Sequence, residues 1–325
     1  MTYTPLHLFW DGSEAVYLFF VLSGYVLVLP IIRKGRSRAG WVAYYPARLL
    51  RLYLPVAAAV GFAFLQFLLI PRRTVANGSL WLNAHDQPLS TRQLLGDVVL
   101  IRGTDWLNSA LWSLRWEVIF SVLLPLVILT VFIGRRWWWA KLAVLFGLML
   151  VGLQTEHLAL FYLPMFGVGA LLARGHSGLH RLALRLHTRS WSLLTIASLL
   201  LLNSYWNLLA LGQSQAYANL LGRPLAVLGA SLAIFVVSEW SSVRIRAEKP
   251  VPQWLGQRSF SLYLVHEPIV VSVALLLGVT SNPLPVLIVA VPISLVVAEV
   301  FYRVVEKPSH ALARNAGRLT VRRLR

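Results

Sequence analysis

Nine blocks of apolar residues succeed one another along the chain, at about 15–32, 53–70, 118–133, 140–154, 158–173, 191–207, 224–240, 260–278 and 284–304. A helix needs about 20 apolar residues to cross the hydrocarbon core of a bilayer, so each block predicts a membrane-spanning helix. Between 140–154 and 158–173 stand Glu156 and His157, and this pair also reads as one hairpin with a tight turn. Residues 71–117 form the longest polar stretch, mixing Trp81, Trp106 and Trp112 with Asp86, Asp97 and Asp105. No repeat and no low-complexity tract interrupts the series. The expected fold is all-α: a polytopic membrane bundle of about nine helices, forming one domain over residues 1–325 with a basic tail at 309–325.

Composition agrees. Of 325 residues, 58% are hydrophobic and 13% charged, with a mean hydropathy of +0.67. Soluble domains run at about 45–50% apolar and about 25% charged, so a soluble enzyme and a disordered chain are excluded. The net charge of +18 would suggest a nucleic-acid binder in a soluble protein. Its placement says otherwise. Alternate loops (33–52, 134–141, 174–190, 241–259 and 303–325) hold 24 of the 30 Lys and Arg, and the remaining segments hold 6. Basic residues accumulate on the cytoplasmic side of membrane proteins, so the first set is expected in the cytoplasm together with the C-terminus, and 71–117 outside. The location expected is the cell membrane, with lipid as neighbour and no nucleic acid as partner. With no cysteine, disulfides, thiolate metal sites and thiol nucleophiles are excluded. No cleavable signal peptide is evident at the start, and no metal or nucleotide motif is present.

Polar side chains in a bilayer are costly and so mark function or pairing. His266 and Glu267 lie in the apolar block SFSLYLVHEPIVV (259–271), followed by Pro268. Such a pair suits proton transfer near neutral pH and equally suits a helix-packing contact. Arg48 and Arg51, in YYPARLLRLYLP (44–55), are three apart and share a helix face. Two guanidiniums there suit bidentate phosphate binding, and they also serve as ordinary flanking charge. In ALWSLRWEVIFSVLLP (110–125), Glu117 is a candidate base or orienting carboxylate; Ser113 begins an S-x-x-x-E pattern one residue too long for a capping box. Trp112 and Trp116 read as interfacial residues or as sugar-stacking platforms. Glu299 stands four residues before Arg303, the spacing of a helix-surface ion pair. Ser23-Gly24 allows a second helix to approach closely. His85, His176, His180, His187 and His310 are expected to face solvent.

In their order these segments resemble acyltransferase family 3, membrane proteins that O-acylate carbohydrates and other hydroxyl-bearing acceptors. The likeness rests on GSEAVYLFFVLSGYVL (12–27), YYPARLLRLYLP (44–55), LWSLRWEVIFSVLLP (111–125), SFSLYLVHEPIV (259–270) and FYRVVEKPSH (301–310). The resemblance implies that Arg48 and Arg51 occupy an R-x-x-R donor-binding motif. It also implies that Trp112, Ser113 and Glu117 occupy a W-S-x-x-x-E segment, with Trp116 beside it toward substrate, and that Tyr263, Leu264 and His266 occupy a Y-L-x-H segment. His266, Glu267 and Glu117 are the expected catalytic set. The implied co-substrate is acyl-CoA, expected to be acetyl-CoA, with no bound cofactor or metal; the acceptor is a hydroxyl of a glycan or similar compound. The family has about ten spans and opens with a helix bearing Arg and His, which His7 does not replace. The sequence-based expectation is therefore a misplaced start or an inactive, truncated homologue, with the general base on the absent helix and His266 and Glu267 in support near the donor. A transporter or exporter of a sugar- or acyl-containing substrate is the rival reading, since intramembrane His and Glu also suit proton coupling.

Overall fold

Every regular element among the described residues is helical, because apolar runs placed in lipid must satisfy their backbone groups internally. The structure, a computed structural model, describes residues 12–35, 37–75, 78–100, 106–134, 137–278 and 282–323. His7 and Asp105 lie outside them. In chain order the helices are α1 (Gly12–Lys34), α2 (Arg38–Leu69), α3 (Leu80–Asn83), α4 (Thr91–Val99), α5 (Trp112–Phe132), α6 (Trp138–Gln154), α7 (Leu158–Ala183) and α8 (Thr188–Leu202). There follow α9 (Ser204–Ala210), the one-turn α10 (Gln215–Tyr217), α11 (Arg223–Glu239), α12 (Ser241–Ala247), α13 (Pro250–Leu277), α14 (Leu284–Phe301) and α15 (Lys307–Arg323). A 3₁₀ turn, Trp106–Leu111, leads into α5, and a π turn, Tyr302–Glu306, joins α14 to α15.

Among the described residues, seven helical runs are long and apolar enough to span a membrane, and eight if α8 and α9 form one bent span. Together with the shorter α6 these account for all nine expected blocks, two of them in altered form. The chain turns by 70° between α8 and α9, at Asn203, whose amide donates to Oδ1 of Asn207 at 2.9 Å. The 140–154 block becomes α6, only 17 residues long. The hairpin reading of α6 and α7 holds, with Glu156 in the left-handed region (φ 57°) at the turn. The segments expected as loops at 33–52 and 303–325 are also largely helical. Ser37 caps α2 by accepting from the Gly40 amide at 3.1 Å, and α2 carries Arg48 and Arg51 inside its length.

The chain divides into two compact units, residues 1–36 with 119–249 and residues 37–118 with 250–325. In the first, α1 crosses α7 at glycines. A Cβ on Gly24 would lie 2.0 Å from the Phe166 carbonyl oxygen, and one on Gly169 would lie 1.9 Å from that of Val21. Small residues of this kind let helix backbones meet in lipid, as Ser23-Gly24 leads one to expect. Phe166 stacks between Phe20 and Phe120, at centroid distances of 4.6 and 4.5 Å.

In the second unit, α13 packs against α2 and α14, and α15 lies along α2. Leu52, Val56, Val60, Leu114, Leu264 and Ile269 belong to its buried core. Within that core Ser272 donates to Gln66 at 2.6 Å, tying α13 to α2. The described parts of 71–117 are folded: Asn83 exchanges two hydrogen bonds with the backbone of Val75, and Ser90 with Gln93 forms a capping box on α4.

Candidate active site

The polar side chains singled out in the second unit converge. The first turns of α5 bring Ser113 and Glu117 inward, and a turn of α13 presents Tyr263, His266 and Glu267. Arg48 donates to Glu117, and the two side chains are 11% and 7% exposed. Buried charge is tolerated when paired in this way. Arg48 is thus engaged with a carboxylate, whereas Arg51, one turn further on, keeps its side chain exposed in the combined field of Arg48, Glu117, Glu306 and Arg314. The two arginines expected to act alike differ in what they touch.

Glu267 is held from several directions. The Ser109 hydroxyl donates to Oε1 and the Ala110 amide to Oε2. Nε2 of His85 stands 3.4 Å from Oε1. His85 donates from Nδ1 to the Trp81 carbonyl at 2.8 Å. At 3% exposure it does not face solvent as expected; the one-turn α3 folds it inward against α13. Nor is His176 free. It receives a hydrogen bond from Arg33 at Nε2 (2.8 Å), lies 3.0 Å from the Tyr25 hydroxyl through Nδ1, and with His180 approaches Glu239 in the first unit.

Tyr263 donates to the Ala110 carbonyl and lies 2.7 Å from the Ser113 hydroxyl. Asn108, fully buried, donates to the Leu264 carbonyl at 2.9 Å. Ser113 and Trp116 are 1% and 4% exposed, and the Arg115 guanidinium sits 5.2 Å above the Trp116 ring. Neither offers a free surface to a sugar, because the start of α5 is packed into the bundle; Trp112 is half-buried.

His266 differs from its neighbours. Its Nδ1 lies 2.9 Å from the Tyr263 carbonyl and 3.2 Å from that of Leu262. Carbonyls only accept, so Nδ1 carries the proton, and in the neutral ring Nε2 holds a lone pair. The ring lines a groove of about 650 Å³ between α13 and α14. The arrangement therefore provides a proton acceptor (His266), a pinned carboxylate (Glu267), a hydroxyl chain (Ser113–Tyr263) and an exposed guanidinium (Arg51).

Glu299 pairs with Arg303, as its spacing predicts, and also with Arg258 at 2.6 Å. Sequence reasoning missed His85, Asn108 and Ser109, which gave no motif signal, and Arg72. The Arg72 guanidinium is partly buried near Phe67, with Nε and Nη1 lacking partners, and burial pushes its pKa down. Among the described residues, no group of three or more His, Asp and Glu is placed to hold a metal ion.

The sequence profile of a family described as an acyltransferase domain matches residues 7–303. No curated protein and no solved structure matches the chain.

Proposed function

The chain belongs to acyltransferase family 3, and from that premise we propose that it transfers an acyl group from an acyl-CoA-type thioester to a hydroxyl of a glycan or similar acceptor. The donor comes from the cytoplasmic side, where the basic residues and the C-terminus are placed by the charge count, and the membrane is the cell membrane. Arg51 contacts donor phosphate; a guanidinium fork suits phosphate better than an ammonium does.

The observation that carries this reading is the fixed tautomer of His266. With Nδ1–H committed to backbone carbonyls, Nε2 is oriented as a base. The acceptor oxygen bonds to the acyl carbon and gives its proton to Nε2. The carbon–sulfur bond then breaks, and the proton passes to the departing thiolate, leaving an ester and a free thiol. Glu267 and its donors hold the turn of α13 on which His266 sits.

Full-length protein in lipid nanodiscs, given labelled acetyl-CoA and a panel of hydroxyl acceptors, tests this. His266→Gln is expected to lower kcat by about 10²–10⁴ with little change in donor KM, the usual contribution of a general base. Unchanged kcat would remove His266 from the chemistry.

A further inference from the structure

The last helix brings a second arginine to Arg51. The π turn Tyr302–Glu306 and α15 both pack on α2. A Cβ on Gly317 would lie 3.4 Å from the Ala43 carbonyl oxygen and the Ala47 Cβ, which fixes the register of α15 against α2. About one turn back from Gly317 is Arg314, and one turn on from Ala47 is Arg51, so the two helices run antiparallel and carry these arginines to one place. Each lies in the other's field, and His310 lies in the field of both. The carboxylates beside them are engaged. Glu117 accepts from Arg48, and buried Glu306 accepts from the Ser261 hydroxyl and stands 3.7 Å from His310. Arg51 and Arg314 are both exposed, and among the described residues neither forms an ion pair or a hydrogen bond. Like charges side by side repel; a doubly charged phosphate group between them converts that repulsion into two charge-assisted forks.

We infer that Arg314 completes the donor's phosphate site, gripping the diphosphate of the acyl-CoA together with Arg51. The inference rests on the acyltransferase reading and deepens it, because it gives α15 a share in donor binding. Axial distances fit this ligand. From His266 to Ser261, toward the Pro250 end of α13, is five residues, and from Glu306 to His310 is four residues of α15. The level of His310 and Arg51 is therefore about 14 Å from that of His266, and Arg314 is about 6 Å further. In an acyl-CoA thirteen bonds separate the thioester sulfur from the first phosphorus, about 15 Å at about 3.5 Å for every three bonds of an extended chain. With the thioester at His266, the diphosphate falls between the two arginines.

Full-length protein in phosphatidylcholine nanodiscs is titrated with radiolabelled free CoA, whose binding needs no turnover. Arg314→Ala is expected to weaken CoA about ten- to hundredfold, the loss of one charge-assisted contact, with the melting temperature unmoved. Dephospho-CoA, which keeps the diphosphate, should weaken by the same factor. Arg314→Lys should recover little of the loss. Arg318, exposed one turn further along the same face, is the control for ordinary flanking charge, and Arg318→Ala should leave CoA binding unchanged. Equal losses from Arg314→Ala and Arg318→Ala would overturn the inference. So would CoA binding that responds to Arg51→Lys and not to Arg314→Ala, which leaves the acyltransferase reading standing. A loss seen with CoA and absent with dephospho-CoA would move Arg314 to the 3′-phosphate and overturn the diphosphate assignment. Phosphatidylglycerol retained by the wild type and lost with Arg314→Ala, while CoA affinity stays put, would give the arginine to a lipid headgroup instead. Arg314-sensitive CoA binding without acyl transfer to any acceptor would keep the phosphate site and sink the acyltransferase reading.

Discussion

Nε2 of His85 approaches Oε1 of Glu267 to 3.4 Å, and both side chains are almost fully buried. One comes from the folded stretch before α5 and the other from the middle of α13. The Ser109 hydroxyl and the Ala110 amide bond the same carboxylate and fasten the turn just before α5 to the helix that carries His266.

Loss of either partner should be visible in stability. Glu267→Gln turns one acceptor oxygen into a donor that confronts the donors already there. It should cost about 3 kcal/mol, since hydrogen bonds to charged groups are the stronger ones. His85→Ala should cost less, about 1–2 kcal/mol. Thermal unfolding in detergent reads both, with Glu267→Gln expected to melt first.

The two arginines of α2 should separate in kinetics. Arg51→Lys should raise donor KM about ten- to hundredfold, the loss of one charge-assisted contact, and leave the melting temperature unchanged. Arg48→Ala should destabilise by about 3–5 kcal/mol, because it removes the cation that pairs with the buried Glu117 carboxylate. A cycle with Arg48→Ala, Glu117→Ala and the double variant should show positive coupling, the double being milder than the sum of the singles.

Glycines give a packing test with an internal control. Gly24→Ala and Gly169→Ala place a methyl against backbone of the facing helix, where no side chain can move aside, and should destabilise by about 1–3 kcal/mol or more. Gly147→Ala meets nothing within 4 Å and lies inside α6. It should be neutral or stabilising by about 0.5–1 kcal/mol through helix propensity. Melting temperatures in one detergent decide the order.

Sidedness is tested by introduced cysteines. Ser79 is exposed, and a cysteine there should react with an impermeant reagent on intact cells; one at exposed Asn315 should react only after permeabilisation. Ser309 is unsuitable for this purpose: it is 5% exposed and bonded to the Val305 carbonyl, so it would stay silent on either side. The reverse labelling pattern would overturn the charge-based orientation.

Local features were the readable ones. The positions of the apolar blocks, the close approach at Gly24, the Glu299–Arg303 pair and the turn at Glu156 all follow from spacing or residue type within one or two helices. The family segments were readable too, because their order along the chain carries the signal. What the sequence hid was long-range pairing. Arg48 and Glu117 are 69 positions apart, and each alone looks like flanking charge or a lone carboxylate. His85 sits in a polar stretch where histidines ordinarily face water, and only the folding of α3 and the 3₁₀ turn against α13 buries it. The bend inside the 191–207 block was hidden too, because hydropathy has no term for the 70° turn at Asn203.

At 32 residues α2 is about 48 Å long, against a hydrocarbon layer of about 30 Å. Roughly a third of it therefore stands clear of the lipid tails, with α15 alongside so close that a Cβ on Gly317 would lie 3.4 Å from the Ala43 carbonyl oxygen and the Ala47 Cβ. Trp41, Tyr44 and Tyr45 touch ring to ring near that end, the kind of aromatic girdle that settles at the headgroup layer. The girdle acts as a waterline: Arg48 and Arg51 begin within two turns of it. A thicker or thinner bilayer then raises or lowers these arginines with the headgroups, so the depth of the proposed donor contact is gauged from the membrane surface and not from its centre.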